Sequence, residues 1–249
     1  DMTSGSPGRL IILFAIPLML GNICQQLYTM VDTMVVGQVA GVEALAALGA
    51  VDFLMWVVTG ISTGLTQGFS IQLSQYYGAK DFENLRKSLA HSYRLTAFIA
   101  AGVLILSQLF ASLVLTGLHT PSNIIGMSLL YLRIIFCGIP ATAAYNMFAS
   151  ALRAMGNSKT PLTAMIIASV LNVSLDILFV AGFGWGVAGA AIATVIAQSF
   201  SAVYCFLILR RIDIVHLTRA DFMPASGMNV RLMKLGIPVV FQNIIIGVG

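Results

Sequence analysis

The chain has 249 residues, 58% of them hydrophobic and only 9% charged, with a mean hydropathy of +0.93 and a formal net charge of +4. A soluble domain carries about 25% charged residues, so this chain has too little polar surface to be solvated by water, and lipid must be its solvent. The positive balance alone would suit a nucleic-acid partner, but the placement of the basic residues argues against one.

Apolar runs near the roughly 20 residues that span a bilayer occur, in chain order, at 10–36, 44–76, 88–116, 122–151, 161–181 and 187–209, and a seventh begins at 232–249. The runs are long and unbroken, whereas barrel strands alternate over about ten residues. The expected fold is therefore an all-α polytopic membrane protein, a six-helix transmembrane bundle plus the beginning of a seventh helix. Its organisation reads as a six-helix unit over 1–209, a connection over 210–231 and the start of a further unit over 232–249. The first run is too long for a cleavable signal peptide and holds an aspartate.

The connections alternate in charge. Arg9 precedes the first run; Lys80, Arg86 and Lys87 follow the second, with Arg94 just inside the third. Arg153 and Lys159 separate the fourth and fifth, and Arg210, Arg211, Arg219, Arg231 and Lys234 surround the last connection. The alternate loops near 37–43, 117–121 and 182–186 hold no Lys or Arg. Twelve of the thirteen basic residues thus fall on one side, which the positive-inside rule makes cytoplasmic. The expected location is the plasma membrane, multi-pass, with the N-terminus cytoplasmic. A nucleic-acid patch has no reason to alternate with the span count.

The stretch "RRIDIVHLTRADFMPASGMN" at 210–229 reads as a linker carrying a short amphipathic surface helix, with Ile212, Ile214, Val215, Leu217 and Phe222 as its apolar side. Cys24, Cys137 and Cys205 lie far apart within spans and read as packing residues. His91, His119 and His216 make no ligand spacing. "GWGVAG" at 184–189 fits a dinucleotide fingerprint but follows a membrane span, so its glycines read as a tight turn and close helix packing. "NVS" at 172–174 lies inside an apolar run and is unreachable for glycosylation.

The informative residues are the ionisable groups inside spans: Asp32, Asp52, Asp176 and Arg133. Such groups cost several kcal/mol in lipid and mark functional sites by default. At about 1.5 Å per residue, Asp32 and Asp176 sit within about one to two turns of the same face of the membrane. Asn172 lies one turn deeper than Asp176, Thr194 about 12 Å below the "GWG" turn, and Tyr131 about 15 Å in from Pro121. Two carboxylates, an amide and a hydroxyl at one depth require a cation or a retained proton, because like charges close together in low dielectric cannot both stay ionised. All the candidate ligand atoms are oxygens, which suits Na⁺ and not a transition metal.

The stretches "FAIPLMLGNICQQLYTMVDTMVVGQVAGVEALAALG", "QYYGAKDFENLRKS", "ALRAMGNSKTP" and "LNVSLDILFV…GWGVAGAAIATVIAQ" resemble the multidrug and toxic compound extrusion (MATE) family over essentially the whole chain, in order. The resemblance implies twelve helices in two six-helix lobes and export of cationic, often aromatic drugs in exchange for H⁺ or Na⁺. It carries the cation site of the first lobe onto Asp32, Asn172, Asp176, Thr194 and the backbone carbonyl of Ala190. It places Tyr131 in the linked cavity and Pro17 at a helix bend. Asp52 and Arg133 do not map; Arg133 either neutralises an acid or snorkels. No cofactor is implied beyond the coupling ion.

The resemblance also accounts for an internal repeat. "RLIILFAIPLMLGN" at 9–22 recurs as "RLMKLGIPVVFQN" at 231–243, with Pro17 and Pro238 each after an Ile and each five residues before an Asn. Transporters are commonly built from such repeats. The reading therefore expects a second lobe, or a second copy, to complete the protein, with residues 232–249 left unpaired until then. Expected partners are the bilayer and small organic cations. Met19, Met30, Met34, Met55, Met147, Phe53, Trp56, Tyr28 and Phe148 are candidate cavity-wall residues. A lipid-linked-substrate flippase and a non-transporting half-lobe subunit are the alternatives. The spans hold no H-E-x-x-H motif and no Ser–His pairing, which argues against an intramembrane enzyme.

Overall fold

The computed structural model describes residues 7–223 and 227–248, with only the backbone described at 7, 9–11, 13, 14, 247 and 248. The Arg9 side chain and residues 224–226 of the connection lie outside the described residues. Among the described residues eight α-helices follow one another: α1 Pro7–Val39, α2 Val42–Gly78, α3 Phe82–Gly117, α4 Ile125–Cys137, α5 Ile139–Ala154, α6 Lys159–Asp176, α7 Gly186–Arg210 and α8 Met228–Val248. No strand occurs among the described residues. Five of the segments, α2, α3, α6 with its extension, α7 and α8, are long and apolar enough to cross a membrane, and α4 with α5 makes a sixth. Helix α1, at 33 residues, exceeds the roughly 20 that a span needs.

The fourth apolar run, expected as one span over 122–151, is a broken one: α4 and α5 meet at 45°. Two residues explain the break. Pro140 opens α5 and cannot donate to the preceding turn. Gly138 lies against α7 so closely that a Cβ there would stand 2.7 Å from Val195 Cγ2.

The turns are built from local chemistry. The Asp81 side chain caps α3 by accepting the Asn84 backbone N–H at 3.2 Å. Asn157 does the same for α6, accepting from the Thr160 N–H at 3.1 Å. The "GWG" turn holds Gly184 at φ +70° and Gly186 at φ +53°, a region that favours glycine. Gly189 then lets α7 approach Phe179, whose Cβ would lie 3.0 Å from a side chain there. The aromatic rings of Phe179, Phe183 and Trp185 stack around this turn, Phe179 and Trp185 at 5.2 Å, as amphipathic rings do at membrane–water interfaces.

Two buried apolar clusters stabilise the bundle. One, around Phe69, Leu73, Leu89, Met147, Leu152 and Leu209, occupies the end that carries the basic residues. The other, around Val36, Val51, Leu115, Leu132, Phe136 and Val180, occupies the opposite half. Large apolar side chains also cover the outside, among them Phe98, Leu109, Leu113 and Val170, as expected when lipid is the solvent.

In place of the short amphipathic helix expected within the 210–231 connection, its described residues make two short 3₁₀ turns, Asp213–Val215 and Arg219–Phe222. Helix α8 is not unpaired. It packs along α2 and also meets α3, with Gly68 against Gly236 and Gly64 against Val240. The expectation of an unpaired helix overlooked the glycines of α2, which give α8 a close-fitting seat on the first bundle.

Candidate functional site

Three helices each present a polar pair one turn apart: Tyr28 and Asp32 on α1, Asn172 and Asp176 on α6, Thr194 and Gln198 on α7. Residues four apart share a helix face. Because α7 runs opposite to α6, the Asn172 and Thr194 side chains come to one level, where Asn172 Nδ2 donates to Thr194 Oγ1 at 3.4 Å. Helices α1 and α7 both pack on α6, which turns the three pairs toward one another. Small residues make this approach possible: Ala190, Ala193 and Ala197 on α7 and Ala168 on α6 are all buried.

Asp32, Asn172 and Asp176 are almost fully enclosed, at 6%, 1% and 0% exposure. Asp32 Oδ1, Asn172 Oδ1, both oxygens of Asp176 and Gln198 Oε1 are buried without a hydrogen-bond donor from the described protein. Buried polar atoms in folded proteins are nearly always paired, so this group of orphaned acceptor oxygens marks a place for something positive. The two carboxylates lie within electrostatic reach of each other. Below them a narrow cleft opens between Tyr28, Met165, Asn172, Thr194 and Gln198.

The structure sets Thr194 against Asn172, brings Asp32 within electrostatic reach of Asp176, and puts buried Ala190 one turn before Thr194 on the same helix. Tyr131, also buried, lies within electrostatic reach of Asp32, Asp176 and Tyr28. Pro17 sits within α1, and its repeat partner Pro238 within α8. Arg133 is exposed on α4 and makes no ion pair among the described residues. Asp52 is exposed on α2, near enough to Tyr131 to act on it. Of the candidate cavity-wall residues, Met19, Met30, Met34, Phe53 and Trp56 are exposed, whereas Met147 is buried in the core.

Gln198 is the site residue that sequence reasoning missed. Its side chain interacts with the Tyr28 hydroxyl, and its spacing of four from Thr194 is the signal that points to it. A second local feature lies just beyond Asp176. There α6 widens into a π-helical segment, Ile177–Gly182, of the kind that recurs at functional sites.

The MatE family model matches residues 17–178. The chain belongs to the MatE family. Among curated relatives it is 31% identical over 246 residues to the probable multidrug resistance protein YpnP of Bacillus subtilis, covering 99% of this chain and 55% of that protein. Among solved structures it resembles a MATE protein in its bent conformation, with a TM-score of 0.90 at 26% identity over 96% of this chain and 54% of the other. The outward-facing form of a multidrug resistance MATE family transporter gives the same TM-score and identity, with 96% and 53% covered. The chain thus spans about half the length of the relatives it matches. The MatE fold accounts for the all-helical, multi-pass architecture found here.

Proposed function

We propose that this MatE protein is a cation-coupled antiporter that exports cationic or amphipathic organic compounds by alternating access, with H⁺ or Na⁺ moving inward. One observation carries this reading: two buried carboxylates, Asp32 and Asp176, lie within electrostatic reach of each other on helices that also bring Asn172 to Thr194, and Asp32 Oδ1 and both Asp176 oxygens lack donors. In low dielectric this group is stable only when a proton or a cation balances it. Loading or emptying the site changes the net charge between α1, α6 and α7, and therefore the packing those helices favour. An energetic link between ion occupancy and bundle conformation is what antiport requires.

In this reading the ligands are Asp32, Asn172, Asp176, Thr194 and the Ala190 carbonyl, and Tyr131 tunes the charge around them. Gln198 and Tyr28 form the deep floor of the cleft. The basic end faces the cytoplasm, so the N-terminus is cytoplasmic and the site opens nearer the outside. A second lobe, or a second copy, supplies the other wall of the translocation path. The acidic character of the pocket and the outward placement of Arg133 favour organic cations over the anionic head groups that a lipid-linked-substrate flippase handles.

The test is export from liposomes holding the intact protein, with an imposed proton or Na⁺ gradient. Asp32→Asn and Asp176→Asn should each abolish gradient-driven export at equal insertion. Undiminished export in both variants would refute the assignment.

A further inference from the structure

Outside the pocket, polar contacts gather where the described part of the α7–α8 connection and the start of α8 meet α2 and α3. Arg86 pairs with Asp221 at 3.8 Å, and Arg94 Nη1 donates to the Phe222 carbonyl at 3.0 Å. Gln72 Nε2 approaches Met228 Sδ at 3.2 Å, and Arg231 Nη1 donates to the Tyr76 hydroxyl at 3.4 Å. His91 stands among these contacts on α3 and is only 2% exposed. Its Nε2 lies 3.1 Å from the Met223 carbonyl, and its Nδ1 lies 2.7 Å from the Asn229 side-chain amide on α8. One imidazole thus holds both the connection and α8.

The chemistry of the two contacts is unequal. A backbone carbonyl only accepts, so Nε2 carries a hydrogen. The Asn229 amide can present either its oxygen or its nitrogen to Nδ1, so that contact survives whether the ring holds one proton or two. The attachment therefore uses both ring nitrogens. Breaking it leaves the ring and a carbonyl unsatisfied in a buried place, which disfavours partly opened states.

Beyond His91, α8 lies in a seat with no slack. A Cβ on Gly68 would stand 2.3 Å from Gly236 Cα, and one on Gly64 would stand 2.6 Å from Val240 Cα. At the far end Trp56 Nε1 donates to the Asn243 carbonyl at 3.3 Å. Such a fit leaves no room for a side chain at either glycine.

We propose that His91 is a positioning residue, a latch that seats α8 on the first bundle and closes the basic end of the protein, and that opening this end requires its release. The transport meaning of the latch rests on the alternating-access reading above; the seating of α8 does not.

The experiment is hydrogen–deuterium exchange of the intact protein in lipid nanodiscs, read over residues 221–243. His91→Leu keeps bulk and removes both hydrogen bonds, and exchange should rise about ten-fold, the scale of a lost buried hydrogen-bonding group. His91→Gln restores a donor and an acceptor and should return exchange to within about three-fold of wild type. Asn229→Ala removes the α8 contact alone and should give an intermediate rise. Unchanged exchange in His91→Leu and Asn229→Ala overturns the latch, as does a His91→Gln protein that inserts normally yet behaves like His91→Leu. Export by Asp32→Asn and Asp176→Asn, measured in parallel, tests the antiport reading separately. If export is undiminished in both Asp32→Asn and Asp176→Asn, the antiport reading fails while the latch stands.

Discussion

Asn172 and Thr194 are hydrogen-bonded across the α6–α7 interface, Nδ2 to Oγ1 at 3.4 Å, and through this pair the two antiparallel helices share one polar level beside Asp176. The bond leaves Asn172 Oδ1 free to face the cleft. It thereby positions an acceptor that a flexible side chain would not hold in place.

Loss of that bond should weaken ion binding without unfolding the bundle. A net hydrogen bond contributes about 0.5–1.5 kcal/mol, so Thr194→Val should reduce the apparent ion affinity several-fold. Thr194→Ser keeps the hydroxyl and should stay near wild type. Isothermal titration of the purified protein with Na⁺, and with protons by pH, gives both values. Equal affinities for Val and Ser would show that the hydroxyl plays no part.

The contact of α2 with α8 makes a paired glycine prediction. Gly68→Ala drives a methyl group into the Gly236 backbone and should cost about 1–3 kcal/mol, the range for overpacking. Gly49→Ala, on the same helix with nothing within 4 Å, should gain up to about 1 kcal/mol from helix propensity. Thermal unfolding in detergent should therefore move in opposite directions for the two variants.

Asp221 carries a pH dependence outside the spans. Burial pushes its carboxyl up, but hydrogen bonds from the Thr218 backbone and side chain, with the charges of Arg86 and Lys87, outweigh burial and hold it below its usual value. A carboxyl held low in the folded state contributes stability above its unfolded value and loses it as pH falls through the folded one. Amide exchange across 213–223, corrected for its intrinsic pH dependence, should stay slow from neutral pH down through the ordinary carboxylate range and quicken below it. Asp221→Asn should exchange faster at neutral pH and lack that acid step.

Arg133 makes a prediction of indifference. It is exposed and unpaired among the described residues, so Arg133→Gln should change stability by no more than about 0.5 kcal/mol and leave ion affinity as it was. A large loss of ion affinity in this variant would place the guanidinium in the site's electrostatic network after all.

The sequence by itself determined the solvent, the helical class and the register of the polar groups. Charge poverty and run length require membrane helices, and a spacing of four puts Asn172 with Asp176 on one face whatever surrounds them. Which helices become neighbours is a property of packing between segments distant in the chain, and only the tertiary structure decided it. Asp32, Asp52 and Asp176 look alike as acids in apolar runs, yet packing of α1 and α7 on α6 encloses the first and third, while Asp52 stays exposed. Gln198 became visible only when α7 was seen to turn its Thr194 face inward. The break at Gly138 depends on the nearness of Val195, more than fifty residues away, although Pro140 was a local sign of it. The seat of α8 depends likewise on glycines of α2 whose role no local pattern states, because a missing side chain matters only when another backbone comes to fill its place.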